Sequence, residues 1–372
     1  MSKFFFFETA TMELLVEGGN ASGGAAVQTL VWMEGLSEID HQIFQAKFEN
    51  DQRKIKTEYQ KFNLVPIYNT NKGIRWLRWP FYRFPKTFKA LKKIKPDYVY
   101  ESVPFWGSFI TNVYCRVLGI KHIIRISNDR HLDNRFLMVA SKWNQQLLFL
   151  GLKQCDLILV QNNFQLEALK KKFKNQTIKK IYNPIKINRE FNISKNEMTG
   201  YFVWIANFRF QKNLKLLFEI AESFQNEEFI IAGVPKQPYD KESTQFIEKL
   251  KCLPNVKFLG KVDRDRILPL LKGAKFLLNT SRFEGFSNTF LEAMVTGTPI
   301  LSTPFVNPDG IIENNKIGII YNDVNDLREK INSLSNREYL ELSTNSINYV
   351  CKNHDYIVLT KLLESNLNGI KN

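Results

Sequence analysis

The chain has 372 residues, 44% of them hydrophobic, and 52 Lys and Arg against 37 Asp and Glu, a net charge of +15. That length exceeds what one hydrophobic core usually fills and predicts two domains, each with ample apolar material. Its four cysteines, Cys115, Cys155, Cys252 and Cys351, have neither disulfide nor zinc spacing and fit a reducing compartment.

In the opening MSKFFFFETATMELL, Glu8 and Glu13 interrupt the apolar run, which reads as a first strand, Lys3 to Phe7, and not as a signal peptide. No stretch nears the ~18–20 apolar residues of a membrane-spanning helix. The expected location is therefore the cytoplasm, peripheral on the inner face of the cytoplasmic membrane. GGNASGGAAVQTL follows (Gly18 to Leu30), where Gly23 and Gly24 let bare backbone approach a ligand and a helix from about Ala25 aims its N-terminus there. The spacing is not G-x-G-x-x-G, which argues against a nicotinamide-dependent oxidoreductase.

Arg75 to Lys95, RWLRWPFYRFPKTFKALKKIK, holds eight Lys and Arg, no acid and six aromatics, including Trp76 and Trp79. Cations interleaved with aromatics suit an anionic membrane surface more than nucleic acid. Part of this run must also form a helix leading into the next strand. A second basic run is Lys170 to Lys180.

The remaining strands expected in the first half are Asp97 to Tyr100, His122 to Ile126 and Leu157 to Gln161. The polar stretch Lys186 to Thr199 is the expected linker. Beyond it come Tyr201 to Ile205, Phe229 to Ala232, Val256 to Leu259, Lys275 to Thr280, Pro299 to Thr303 and Gly318 to Tyr321. Short apolar strands alternating with amphipathic helices predict parallel βαβ units, an α/β protein of doubly wound sheets.

Glu284 and Glu292 lie eight residues apart in SRFEGFSNTFLEAMVTGTPILST (Ser281 to Thr303). The first sits in a loop past a strand's C-terminal end, the second one turn into the following helix. Ligands of open α/β sheets bind at such ends, and carboxylates there accept hydrogen bonds from sugar and ribose hydroxyls. A loop glutamate and a helix glutamate favoured by the dipole are the bland alternative.

This run resembles the signature of the retaining glycosyltransferases of family 4, E-G-[FL]-x5-E-A-[MLF]-x-x-G-x-P-[IV]. Glu284, Gly285, Phe286, Glu292, Ala293, Met294, Gly297, Pro299 and Ile300 fall into register. The resemblance implies a GT-B fold, two Rossmann-like domains facing each other across a crevice. Residues 1–190 with a returning C-terminal helix, 355–372, would form the acceptor domain, and 197–352 the nucleotide-sugar domain.

By the same resemblance Glu284 contacts the donor sugar and Glu292 the ribose. The amides of Phe286, Ser287, Asn288 and Thr289 would lie near the diphosphate, and FLGKV, ending at Val262, would flank the base. WIANFRFQKNL (Trp204 to Leu214) is similar to the family's segment ending in K-[GN]. Arg209 and Lys212 would then face the diphosphate, although Asn207 holds the usual arginine position. Gly23 and Gly24 match the donor-side glycine loop. The place of the family's crevice histidine falls near Ser127 to Asp129, with Asn128 or the downstream His131 as substitutes.

Asp263-Arg264-Asp265 has the D-x-D form that binds metal in the other large glycosyltransferase fold, but it precedes an apolar helix and reads as cap and first-turn acid. No metal and no cofactor are expected. The implied activity is transfer of a sugar from a UDP- or GDP-linked donor to a lipid-linked glycan acceptor, with retention. A catalytically silent sugar-nucleotide or glycan-binding module of the same fold is the alternative.

Overall fold

The structure, a computed structural model, describes residues 1–19, 23–75, 77–132, 141–237 and 240–369. It divides into two compact units, Met1–Pro184 with Tyr356–Asn372, and Ile185–Asp355.

Among the described residues, the first unit contains seven strands: β1 (Lys3–Phe6), β2 (Gln42–Lys47), β3 (Asn63–Pro66), β4 (Tyr98–Glu101), β5 (Lys121–Arg125), β6 (Leu157–Val160) and β7 (Ile178–Lys180). They form one parallel sheet ordered β3-β2-β1-β4-β5-β6-β7. β1 and β4 to β6 are buried along nearly their whole length, the state in which strands read as continuous apolar runs. The helix Gly24–Glu38 follows β1, and the C-terminal helix Tyr356–Asn368 packs on it. The Tyr356 hydroxyl donates to Glu38 at 2.5 Å and His41 meets Glu364 at 3.1 Å.

The basic aromatic run has two faces. Trp79 is no surface anchor, because it packs 5.1 Å from Trp106 and 5.3 Å from Phe84, under the Arg83 guanidinium at 4.6 Å. Trp76 and the side chain of His131 lie outside the described residues. The outward apolar row is Ile74, Leu77 and Phe81, 70%, 47% and 75% exposed. Lys89, Lys92 and Lys93 are exposed on the next helix, Phe84–Ile94, whereas Lys86 pairs with Glu49 at 2.8 Å.

The second unit has a six-stranded parallel sheet among the described residues: β8 (Tyr201–Ile205), β9 (Phe229–Ala232), β10 (Val256–Gly260), β11 (Ala274–Leu278), β12 (Ile300–Ser302) and β13 (Gly318–Ile320), ordered β10-β9-β8-β11-β12-β13. Phe202, Phe229 and Phe276 fill one face, with ring centroids 5.0 and 5.5 Å apart. Tyr339 closes the layer edge-on and donates its hydroxyl to the Lys275 carbonyl at 2.8 Å.

Residues 186–199 are not a free tether. The Lys195 ammonium donates to the carbonyls of Leu271, Lys272 and Ala274, and its amide donates to Ser343 Oγ at 2.7 Å. Gly297, in the turn before β12, has φ +61°, and a Cβ there would stand 2.8 Å from Ser343 Oγ. Its place in the sequence signature is therefore a backbone requirement.

Candidate functional site

The order of the second sheet fixes where a ligand can enter. From β8 the chain runs outward to β9 and β10, and from β11 outward to β12 and β13. Loops leaving the C-terminal ends of β8 and β11 thus diverge at a topological switch point, where open α/β sheets hold their ligands.

The β8 loop carries Arg209 and Lys212; the β11 loop carries Glu284. They are joined by a set of short contacts. Trp204 Nε1 donates to Thr280 Oγ1 at 3.0 Å, and that hydroxyl donates to the Lys212 carbonyl at 2.8 Å. Gln211 Nε2 donates to the Phe283 carbonyl at 2.8 Å, and the Arg282 amide donates to the Gln211 carbonyl at 2.8 Å. Arg282 also lies over the Phe210 ring at 3.9 Å. The outcome is an ion pair between Lys212 Nζ and Glu284 Oε1, with Ser281 Oγ donating to the same oxygen at 3.2 Å. The two side chains are 15% and 12% exposed, so each charge depends on the other more than a surface pair would.

Asn213, directly after Lys212, has φ +53° and ψ +63° and caps the next helix with its side chain, accepting from the Leu216 amide at 3.4 Å. That left-handed geometry explains why the motif's last position takes Gly or Asn.

Arg209 reaches a second cation that the sequence reading missed. Phe208 bridges to Pro235, its amide donating to the Val234 carbonyl at 2.9 Å and its carbonyl accepting from the Lys236 amide at 3.2 Å. Burial, and then the nearby Arg209, hold the Lys236 ammonium below the usual lysine range. Gly233 makes this approach possible, since a Cβ there would lie 1.8 Å from the Ala206 carbonyl oxygen. PKQP in sequence reads only as a turn, so nothing there flagged Lys236.

The helix Asn288–Val295 begins just past Ser287, whose hydroxyl shares a 2.7 Å hydrogen bond with Thr289 Oγ1 and makes no capping bond to a backbone amide. N–H groups of a first turn have no partner within the helix, and the dipole there favours an anion. Phe286 is buried and packs 5.3 Å from the His354 ring, tilted by 48°. Val262, in the loop after β10, packs in the apolar cluster that contains Phe286 and Phe290.

Glu292, one turn in, is 5% exposed, and its Oε1 accepts from Arg264 NH1 at 2.6 Å. In the D-x-D segment, then, the residue that touches the candidate site is the arginine between the acids. Asp263 stands at the N-cap position but its carboxylate makes no capping bond, and Asp265 lies in the first turn. Among the described residues no group of three His, Cys, Asp or Glu is placed to hold a metal.

Gly23, Gly24 and Asn128 belong to the first unit. Gly23 caps the helix Gly24–Glu38 with extended backbone, and a Cβ on it would meet nothing within 4 Å. Asn128 lies in the loop following β5, and its neighbour Asp129 accepts from Asn162 and Gln165 at 3.2 and 2.7 Å. Both segments leave the C-terminal edge of that sheet.

Residues 186–352, almost the whole second unit, match the family model described as glycosyl transferases group 1. The uncharacterized glycosyltransferase MJ1069 of Methanocaldococcus jannaschii is 24% identical over 301 residues, 74% of each chain. The O-antigen chain mannosyltransferase RfbU of Salmonella typhimurium is 22% identical over 212 residues, 56% of this chain and 59% of its own.

Whole-chain likeness to solved structures gives the fold. Anabaena HepE in complex with UDP-glucose superposes with a TM-score of 0.77 at 15% identity, covering 99% of this chain and 100% of HepE. A point mutant of S. aureus TarM, solved with fondaparinux, alpha-GlcNAc-glycerol and UDP, gives 0.74 at 14% identity over 100% of both chains. Two parallel-sheet, Rossmann-like α/β units of the GT-B type are thus the architecture of this chain.

Proposed function

We propose that the chain transfers a sugar from a UDP- or GDP-linked donor to a glycan acceptor on a lipid carrier, with retention at the anomeric carbon. The observation that carries this reading is the Lys212–Glu284 pair at the switch point of β8 and β11, with Glu292 one turn into the helix behind it. Lys212, Arg209 and the first turn of Asn288–Val295 would face the diphosphate, where the departing nucleoside diphosphate gathers negative charge. Fixed cations and N–H groups there stabilise the transition state.

Glu284 would accept from sugar hydroxyls and Glu292 from the ribose. The anomeric carbon–phosphate oxygen bond breaks as the acceptor hydroxyl adds on the same face. The hydroxyl proton passes to the departing phosphate, and no side chain is assigned as a covalent nucleophile. Gly23, Gly24 and Asn128 are the proposed first-unit contacts to the donor.

The reaction proposed needs no metal. Release of nucleoside diphosphate from a UDP- or GDP-sugar should continue in EDTA, and Glu284→Ala should depress kcat far more than nucleotide affinity. Activity lost in EDTA and restored by Mn²⁺ would move Asp263 and Asp265 into the site and contradict the reading.

Among the described residues no helix is long and apolar enough to cross a membrane. We propose contact with the anionic inner face through Ile74, Leu77 and Phe81, flanked by Lys89, Lys92 and Lys93. Apolar side chains would enter the headgroup boundary while each cation contributes about 1 kcal/mol. Co-sedimentation with anionic vesicles should fall at 1 M salt, where the Debye length is ~3 Å, and with Phe81→Ser or Lys89, Lys92 and Lys93→Glu. Equal binding to neutral and anionic vesicles would refute it.

A further inference from the structure

Glu292 occupies an unusual place for a carboxylate. Phe290, Leu291, Ala293, Met294 and Val295 around it in the helix are all buried in one apolar cluster, which also holds Ile267 and Leu271 of the neighbouring helix Arg264–Gly273. A charge withdrawn from water at such a position is costly unless a partner satisfies it.

The partner comes from that neighbouring helix. Arg264 is its first residue, 49% exposed, and donates from NH1 to Glu292 Oε1 at 2.6 Å, whereas Glu292 is 5% exposed. A guanidinium is charged at every working pH and its donors form a rigid plane. Engaging one oxygen fixes the carboxylate's rotation and leaves Oε2 without a protein donor among the described residues. An ionised oxygen so presented is the acceptor that a ribose diol requires.

We infer that Arg264 is a positioning residue: by holding Oε1 it orients Glu292 so that Oε2 reads the ribose of the bound nucleotide. The inference rests on the functional reading above. It gives Arg264 no contact with the reacting atoms, and so assigns it to affinity and sugar discrimination in the nucleotide, not to turnover.

Calorimetric titration with UDP and 2′-deoxy-UDP (or the GDP pair, whichever base wild type binds) separates the possibilities. Wild type should prefer the ribonucleotide by about tenfold or more, the loss expected for one hydrogen bond to a charged group. Arg264→Ala should weaken the ribonucleotide while barely changing the deoxynucleotide, collapsing the preference, with kcat at saturating donor nearly kept. Arg264→Lys should restore part of it, and Glu292→Gln should mimic the loss.

A preserved preference in Arg264→Ala overturns the inference, including the case in which both nucleotides weaken equally, which would set Arg264 against base or phosphate. Wild type that binds no nucleotide overturns the functional reading and this inference with it. Wild type that discriminates through Glu292 but not Arg264 overturns this inference alone.

Discussion

Lys212→Ala is expected to lower kcat by ~10²–10³-fold, the range seen when one fixed donor to a developing oxyanion is removed. Two effects add at this position. The proposed diphosphate loses one of its two proposed cations, and Glu284, 12% exposed, keeps, among the described residues, the Ser281 hydroxyl on the oxygen that Lys212 held. Removing one partner of a buried pair is more damaging than removing both. Lys212→Ala combined with Glu284→Gln should therefore recover thermal stability without recovering activity.

Arg209→Ala should cost less. Arg209 shares its neighbourhood with Lys236, which can supply part of the same field. Steady-state kinetics of the three variants, beside their melting curves, check this ordering. A Lys212→Ala enzyme with near-normal kcat would remove the diphosphate assignment.

The sheets were legible where both faces of a strand are buried. All six strands of the second unit were expected, as were β1, β4, β5 and β6, and among them β10 is the exception, a half-exposed edge strand marked by Val256, Phe258 and Leu259. The three missed strands lack that signal. β2 carries Gln42 and Gln45, and Gln45 is tolerated inside because its amide donates to the carbonyls of Glu8 and Ala46 at 2.9 and 2.8 Å. β3 and β7 are edge strands with half-exposed faces, and β7 has only three residues. Trp79 misled in the opposite direction, because composition cannot tell an interfacial tryptophan from one stacked on Trp106.

At the site, spacing brought Glu284 and Glu292 to notice, and the motif ending at Asn213 pointed to Lys212. The charged groups beside Glu292 and Arg209 were not readable. Arg264 lies twenty-eight residues before Glu292, and only the packing of two helices brings them together. Lys236 arrives through a backbone bridge between loops. Contacts of that kind depend on tertiary placement, for which a single sequence offers no periodicity.

Glu292→Ala is expected to weaken nucleotide binding by about 1.5–3 kcal/mol, roughly 10- to 150-fold, whatever sugar the donor carries. The ribose contact is shared by donor and product, so the loss should appear with the free diphosphate as well. Arg264 would then be left half-exposed without its partner, a small further cost because water can solvate it.

The central claim, that the second unit holds a nucleoside diphosphate at the switch point of β8 and β11, is tested most directly by thermal unfolding of wild type and Glu292→Ala with UDP, GDP and ADP. One of the first two should stabilise wild type by ~2.7 kcal/mol at 100 times its dissociation constant, and the same concentration should give Glu292→Ala much less. No stabilisation by any nucleotide, or equal stabilisation of both proteins, would contradict the account.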